Sequence, residues 1–183
     1  MAAALRTRLA ALLVLCLLLA GSTPALAEED VPSRAFPVTE DFLARAESIE
    51  GLSCRYEDRF TASFGTAFDV VDAVADYSSE GSHYTIHIRA LFSEDGKSVY
   101  LYVFHLIDFA EESFADVLLR VNDLNAGANG VKLYVDTADN SVTAELDLIT
   151  REACAAELAA DGVGYLVGFV EGVFAVLADY SIA

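Results

Sequence analysis

The sequence predicts an α+β domain, an antiparallel β-sheet carrying about three helices, in the order α-β-β-β(-β)-α-β-β-α. Three observations carry the prediction. Runs of alternating aliphatic and polar residues fold back on themselves at Asp95-Gly96 and again at Asp139-Asn140. An apolar stripe at helical spacing lies between the two hairpins. A long apolar stretch of helical length follows Thr150. Antiparallel strands with one aliphatic and one polar face take their helices on a single side.

Residues 1–27 read as a secretory signal peptide. Arg6 and Arg8 make a basic start, residues 9–20 are apolar, and Ala25 and Ala27 supply small residues before a cleavage point. The expected mature protein therefore starts after Ala27 and is exported, to the periplasm or beyond. Residues 28–38 contain Pro32 and Pro37, show no periodicity and read as a linker. A single domain then occupies residues 39–183. Thr39 is a candidate N-cap, with Glu40 and Asp41 favouring the helix dipole. Phe42, Leu43, Ala46 and Ile49 share a helical face, and Gly51 can end the helix. Residues 53–59 and 68–77 read as strands on their Val, Phe and Tyr content.

Asp95-Gly96 is a two-residue hairpin signal. It sets Phe92 opposite Val99, Ala90 opposite Leu101, Ile88 opposite Val103 and Ile86 opposite His105. One face is then aliphatic, and the other carries His87, Arg89, Tyr100, Tyr102 and Phe104. Asp108 with Glu111 suggests a capping box for a helix whose buried stripe is Phe114, Val117, Leu118, Val121 and Leu124. A turn at Asp139-Asn140 sets Val135 opposite Ala144, Leu133 opposite Leu146, Val131 opposite Leu148 and Lys132 opposite Asp147. Thr150 is the last candidate N-cap. A break or kink is expected at Gly162 and Gly164, and Gly164, Gly168 and Gly172 leave a groove along the helix that follows.

The run from Leu101 to His105, the helix end Val121 to Asn125 and the strand from Val131 to Asp136 resemble the YbjN-like bacterial sensory transduction regulators. The resemblance spans residues 39–183, and its most specific residues are Leu124-Asn125, the strand from Val131 and Asp147-Leu148. It implies a fold similar to type III secretion chaperones, a regulatory or chaperone-like role through protein partners, and a homodimer. The export signal and the glycine-rich last helix depart from the family pattern.

The 183 residues hold 11 basic and 29 acidic side chains, a formal charge of −18; loss of Arg6 and Arg8 with the signal makes it −20. Such a charge repels phosphate backbones and anionic headgroups, so nucleic acid is not expected as a partner. His83 and His87 share one strand face and His105 points to the other, against a three-histidine metal site. Gly96-Lys97-Ser98 lacks the earlier glycine of a phosphate loop and sits at a hairpin tip. Asp136, Asp139 and Asn140 lack the glycine and closing glutamate of a calcium loop. Cys54 and Cys154 remain after signal removal; export permits a disulfide between them, and the spacing is equally compatible with two buried thiols. The apolar residues 163–178 are interrupted by Glu171 and lack basic flanks, which favours a buried helix over a membrane span and sets Glu171 in search of a partner.

No catalytic pair, cofactor motif or metal quartet stands at usable spacing. The expectation is an exported, non-enzymatic protein-interaction module without stable membrane insertion. Its contact face would be His87, Arg89, Tyr100, Tyr102 and Phe104, unless another element covers them as a second core. The alternatives are a small-ligand or cation binder outside the cytoplasm and, behind it, a hydrolase.

Overall fold

The computed structural model describes residues 34–79 and 82–182. The expected export segment and most of the linker lie outside the described residues. Helix α1 spans Pro37–Ala46, followed by β1 Leu52–Thr61, β2 Ala67–Ser79, β3 Ser82–Ser93 and β4 Ser98–Asp108. Then come α2 Phe114–Gly127, β5 Val131–Asp136, β6 Ser141–Ile149 and α3 Ala155–Leu177. The α+β class and the order of elements are those expected. The strands form one antiparallel sheet in the order β1-β2-β3-β4-β6-β5.

One sheet face is aliphatic because alternate residues of every strand point the same way. Val71, Ile88, Ala90, Phe92, Val99, Leu101, Val131 and Ala144 are buried there, under Phe42 of α1, Val117 of α2 and Leu166 and Leu177 of α3. The Phe42 and Phe92 rings lie 4.9 Å apart. Gly162 lets α3 lie low on the sheet, since a Cβ there would come within 3.0 Å of both Leu101 and Leu148. The expected break is absent: α3 runs unbroken through Gly162 and Gly164. In α2 the stripe of Phe114, Val117, Val121 and Leu124 faces the core as expected, while Leu118 is 38% exposed.

The helix starts differ from the reading of the sequence. Phe36 precedes α1, with Pro37 in the first turn, and Thr39 is buried inside the helix. Proline suits that first position because its missing N–H has no helical partner to lose. Asp108 ends β4 instead of capping α2; Ala110 precedes a short 3₁₀ turn, and α2 starts after it. Thr150 instead ties down the first hairpin: its hydroxyl donates to the Gly96 carbonyl at 2.6 Å and its N–H to the Lys97 carbonyl at 2.9 Å. Residues 34–38, read as linker, are ordered parts of the domain. Arg34 and Phe36 already belong to the fold, with the Phe36 N–H donating to Asp69 at 2.6 Å and the Arg59 guanidinium lying 3.7 Å over the Phe36 ring.

Around Asp95-Gly96 the register is as expected for Phe92–Val99 and Ala90–Leu101. The second hairpin slips by two residues: Val131 faces Leu146, Leu133 faces Ala144, Val135 faces Val142 and Lys132 faces Glu145. The Asp136 carboxylate accepts the Ala138 N–H at 2.8 Å and opens the turn early, while Asn140 closes it in the left-handed region at φ 55°. An even slip leaves every side chain on its expected face. At the far edge the Asn125 amide accepts the Leu133 N–H at 2.8 Å and donates to the Leu133 carbonyl at 2.9 Å, so α2 is stitched to β5. Cys54 and Cys154 are free thiols and form no disulfide.

Candidate functional site

Strands β3 and β4 part company halfway along. Their ladder runs only from Phe92–Val99 to Arg89–Tyr102. Beyond it β3 stays with β2 to the pair Ser82–Ser79, and β4 stays with β6. The expected pairings of Ile88 with Val103 and Ile86 with His105 therefore do not form. The cause is a bulge in β4, whose ladder with β6 steps from Val103–Ala144 to Ile107–Val142. Phe104, His105 and Leu106 together oppose Thr143, so β4 bends. His105 takes the left-handed conformation at φ 50°, uncommon for a residue with a Cβ. Its Nδ1 lies 2.7 Å from Asp108 and its Nε2 3.6 Å from Asp139. The hydrogen bond to Asp108 raises the His105 pKa, against a smaller opposing effect of burial.

Between the parted strands lies a cleft of about 830 Å³, floored by α3 from Gly168 to Ala175 and by Ala178 just past its end. Ile86, Val103, Leu106 and Val170 give it buried apolar walls, and Phe174 is partly exposed at its side. A Cβ at Gly168 or Gly172 would meet nothing within 4 Å, so the missing side chains are part of the open space. Glu171 projects from the same helix into this lining and is half-buried. Among the described residues it has no hydrogen bond or ion pair. The lining contains no Lys or Arg. Its size suits a ligand or a short stretch of partner chain.

The five residues expected to form a contact face divide between two places. His87 and Phe104 line the cleft. Arg89, half-buried, pairs with Asp72 at 3.2 Å. Tyr102, with Phe68 and Leu91, forms a small second core on the outer sheet face, packed by Phe60, Ala62, Val70, Tyr100 and Phe104. Ring pairs continue from Phe60–Phe68 at 5.6 Å through Phe68–Tyr100 at 5.8 Å to Tyr100–Tyr102 at 6.5 Å and Tyr102–Phe104 at 5.4 Å. The covering is thus made by the face itself and the β1–β2 loop.

That core holds a carboxylate. The Tyr102 hydroxyl donates to Glu145 at 2.9 Å, and Glu145 is 5% exposed. Burial and the neighbouring Asp147 push the Glu145 carboxyl up to about 7, against the opposing hydrogen bonds of Tyr102 and Tyr134. Burial also raises both phenols. Burial beside a second carboxylate, Asp147, thus makes the ionised form of Glu145 costly.

The other candidates have plain structural places. The His83 side chain lies outside the described ones. Among the described residues no group of three His, Cys, Asp or Glu could hold a metal ion. Lys97 and Asp95 close the hairpin tip, with Nζ to carboxylate at 2.9 Å. Cys54 packs against the main core, and burial raises its thiol to about 11. The Cys154 thiol donates to the Arg151 carbonyl at 3.4 Å. Among the described residues one helical stretch, Glu152–Tyr180, is long and apolar enough to cross a membrane by length and composition. Here its Ala159, Val163, Leu166, Val170 and Leu177 pack against the domain core, and Leu158, Tyr165 and Phe174 are exposed.

The cleft was not visible in the alternation, because the pattern holds through Val103. Its traces are the lone Glu171 in the apolar residues 163–178 and the adjacent pair Leu106-Ile107, both buried, where a strand of period two would expose one. No protein-family model, curated protein or solved structure matches the chain.

Proposed function

We propose that the protein is a non-enzymatic interaction module that acts outside the cytoplasm and receives a polypeptide partner where β3 and β4 part. The parting of the strands carries the reading. A bulge and a left-handed non-glycine residue keep two strands apart over an apolar floor, and local strain of this kind collects at binding sites. The YbjN-like resemblance, with its regulatory or chaperone-like role, fits such a module, and the predicted signal peptide gives the compartment. Site-specific photocrosslinking in the native host tests it. A crosslinker at Ala175, in the cleft, should give one discrete adduct in the exported fraction, absent with the crosslinker at Leu119, exposed on α2 outside the cleft lining. No adduct at Ala175, or the same products at both positions, would refute the reading. Intact mass should place the mature N-terminus at Glu28.

A further inference from the structure

The cleft holds a charge without a counterpart. Glu171 is the one acidic residue among the lining side chains, on a helix otherwise apolar from Val163 to Ala178. A carboxylate half-withdrawn from water gains from a cation that replaces the lost solvation. The two imidazoles in the lining do not fill that role: among the described residues His105 is engaged with Asp108 and Asp139, and His87 is exposed without an ion pair to Glu171. Phe104 and Phe174 line the same space, which gives the apolar stem of a cationic side chain something to pack on. The surroundings add to the preference, with Asp76 beside Thr85, Asp179 beside Ala178 and a strongly negative chain overall.

We propose that the cleft takes an extended apolar segment of a partner polypeptide bearing a Lys or Arg, whose cationic head pairs with the Glu171 carboxylate. The proposal rests on the reading of the cleft as the contact site and adds the chemistry of what enters it. Extended chain suits the place because β3 and β4 are both strands here, are not paired with each other, and bound the cleft on two sides. Gly168 and Gly172 leave the depth for the stem of the basic side chain. The contact would be formed with no covalent step.

The test is a titration of the whole mature protein, followed by amide chemical shifts. The probes are a short end-blocked peptide of alternating apolar residues with a central lysine, its glutamate counterpart, and octylammonium. The lysine peptide should shift residues 84–87, 103–106 and 168–178, and the glutamate peptide should not. Glu171→Gln should weaken the lysine peptide by about tenfold or more. Gly172→Leu should abolish binding by filling the cleft, whereas Gly164→Leu, outside the lining on the same helix, should leave it intact. Both leucines favour helix over glycine, and circular dichroism verifies the fold. Equal binding of the two peptides, an unchanged affinity in Glu171→Gln, or octylammonium binding as tightly as the peptide would each overturn the proposal. The two readings fail separately: a photocrosslinked partner that survives Glu171→Gln sinks only the cation pairing, while lysine-peptide binding with no adduct in the host sinks only the physiological role.

Discussion

The Nε of Arg59 donates to the Asp69 carboxylate at 2.7 Å, and Asp69 is fully buried. The other Asp69 oxygen takes the Phe36 N–H, and Arg59 Nη2 reaches the Arg34 carbonyl at 3.0 Å. One buried charge therefore ties the start of the domain to β1 and β2. Breaking such a pair from one side leaves a charge without compensation. Arg59→Met should lower unfolding free energy by about 3–5 kcal/mol in urea denaturation. Adding Asp69→Asn should recover part of that loss, and a double variant no better than the single would show that the charge is not the cause.

Glu145 sets a pH dependence of opposite sign to most carboxylates. Its folded pKa, pushed up to about 7, exceeds the ordinary carboxylate value, so the native state binds more protons than the unfolded chain in the interval between them. Stability is then greatest near the ordinary carboxylate pKa and falls as pH rises towards 7, by roughly 3 kcal/mol over the interval. Glu145→Gln, which keeps an acceptor for Tyr102, should flatten this decline and be the more stable protein at pH 8. A parallel pair of pH–stability curves would contradict the assignment.

Gly162 and Gly164 should respond in opposite directions. A leucine at Gly162 meets Leu101 and Leu148 and must lift α3 off the sheet, whereas a Cβ at Gly164 meets nothing within 4 Å. Gly162→Leu should destabilise by about 1–3 kcal/mol through overpacking, and Gly164→Ala should stabilise by up to about 1 kcal/mol through helix propensity. Thermal melts of the two variants compare the signs directly.

The two thiols should both be titratable in native protein without reductant. Cys54 lies against the core with its thiol pushed up to about 11, so little of it is thiolate near neutral pH. Iodoacetamide should label Cys154 first and Cys54 slowly, followed by peptide mass spectrometry. Unlabelled cysteines that appear only after reduction would show the bridge that export permits.

Local chemistry made some of this legible and not the rest. At Asp95-Gly96 the turn opens at Ser93, whose carbonyl takes the Gly96 N–H at 2.9 Å, yet the register near the tip was readable because the longer loop is centred on the same two residues. At Asp139-Asn140 the loop is instead centred one residue early, because Asp136 starts the turn through its own side chain, and the register slips by two. Faces survived because the slip is even. The caps at Thr39, Asp108 and Thr150 failed for a shared reason: each side chain is used in packing or in a tertiary or ion-pair contact, which sequence periodicity does not see. The candidate site stayed hidden because it is made by a strand pair that ceases to pair. Only Leu106-Ile107 and the lone Glu171 marked it beforehand.

The Asn125 amide occupies the outward N–H and carbonyl of Leu133 on the last strand of the sheet. Those groups are where another chain would extend the ladder, and an open edge is the usual start of uncontrolled polymerisation. A side chain that imitates a neighbouring strand for one residue caps growth there without adding a strand. Self-association of this domain is thereby steered away from the β5 edge. Asn125→Ala should cost about 1–2 kcal/mol in stability, and it should also make the protein scatter light at concentrations where the parent stays clear.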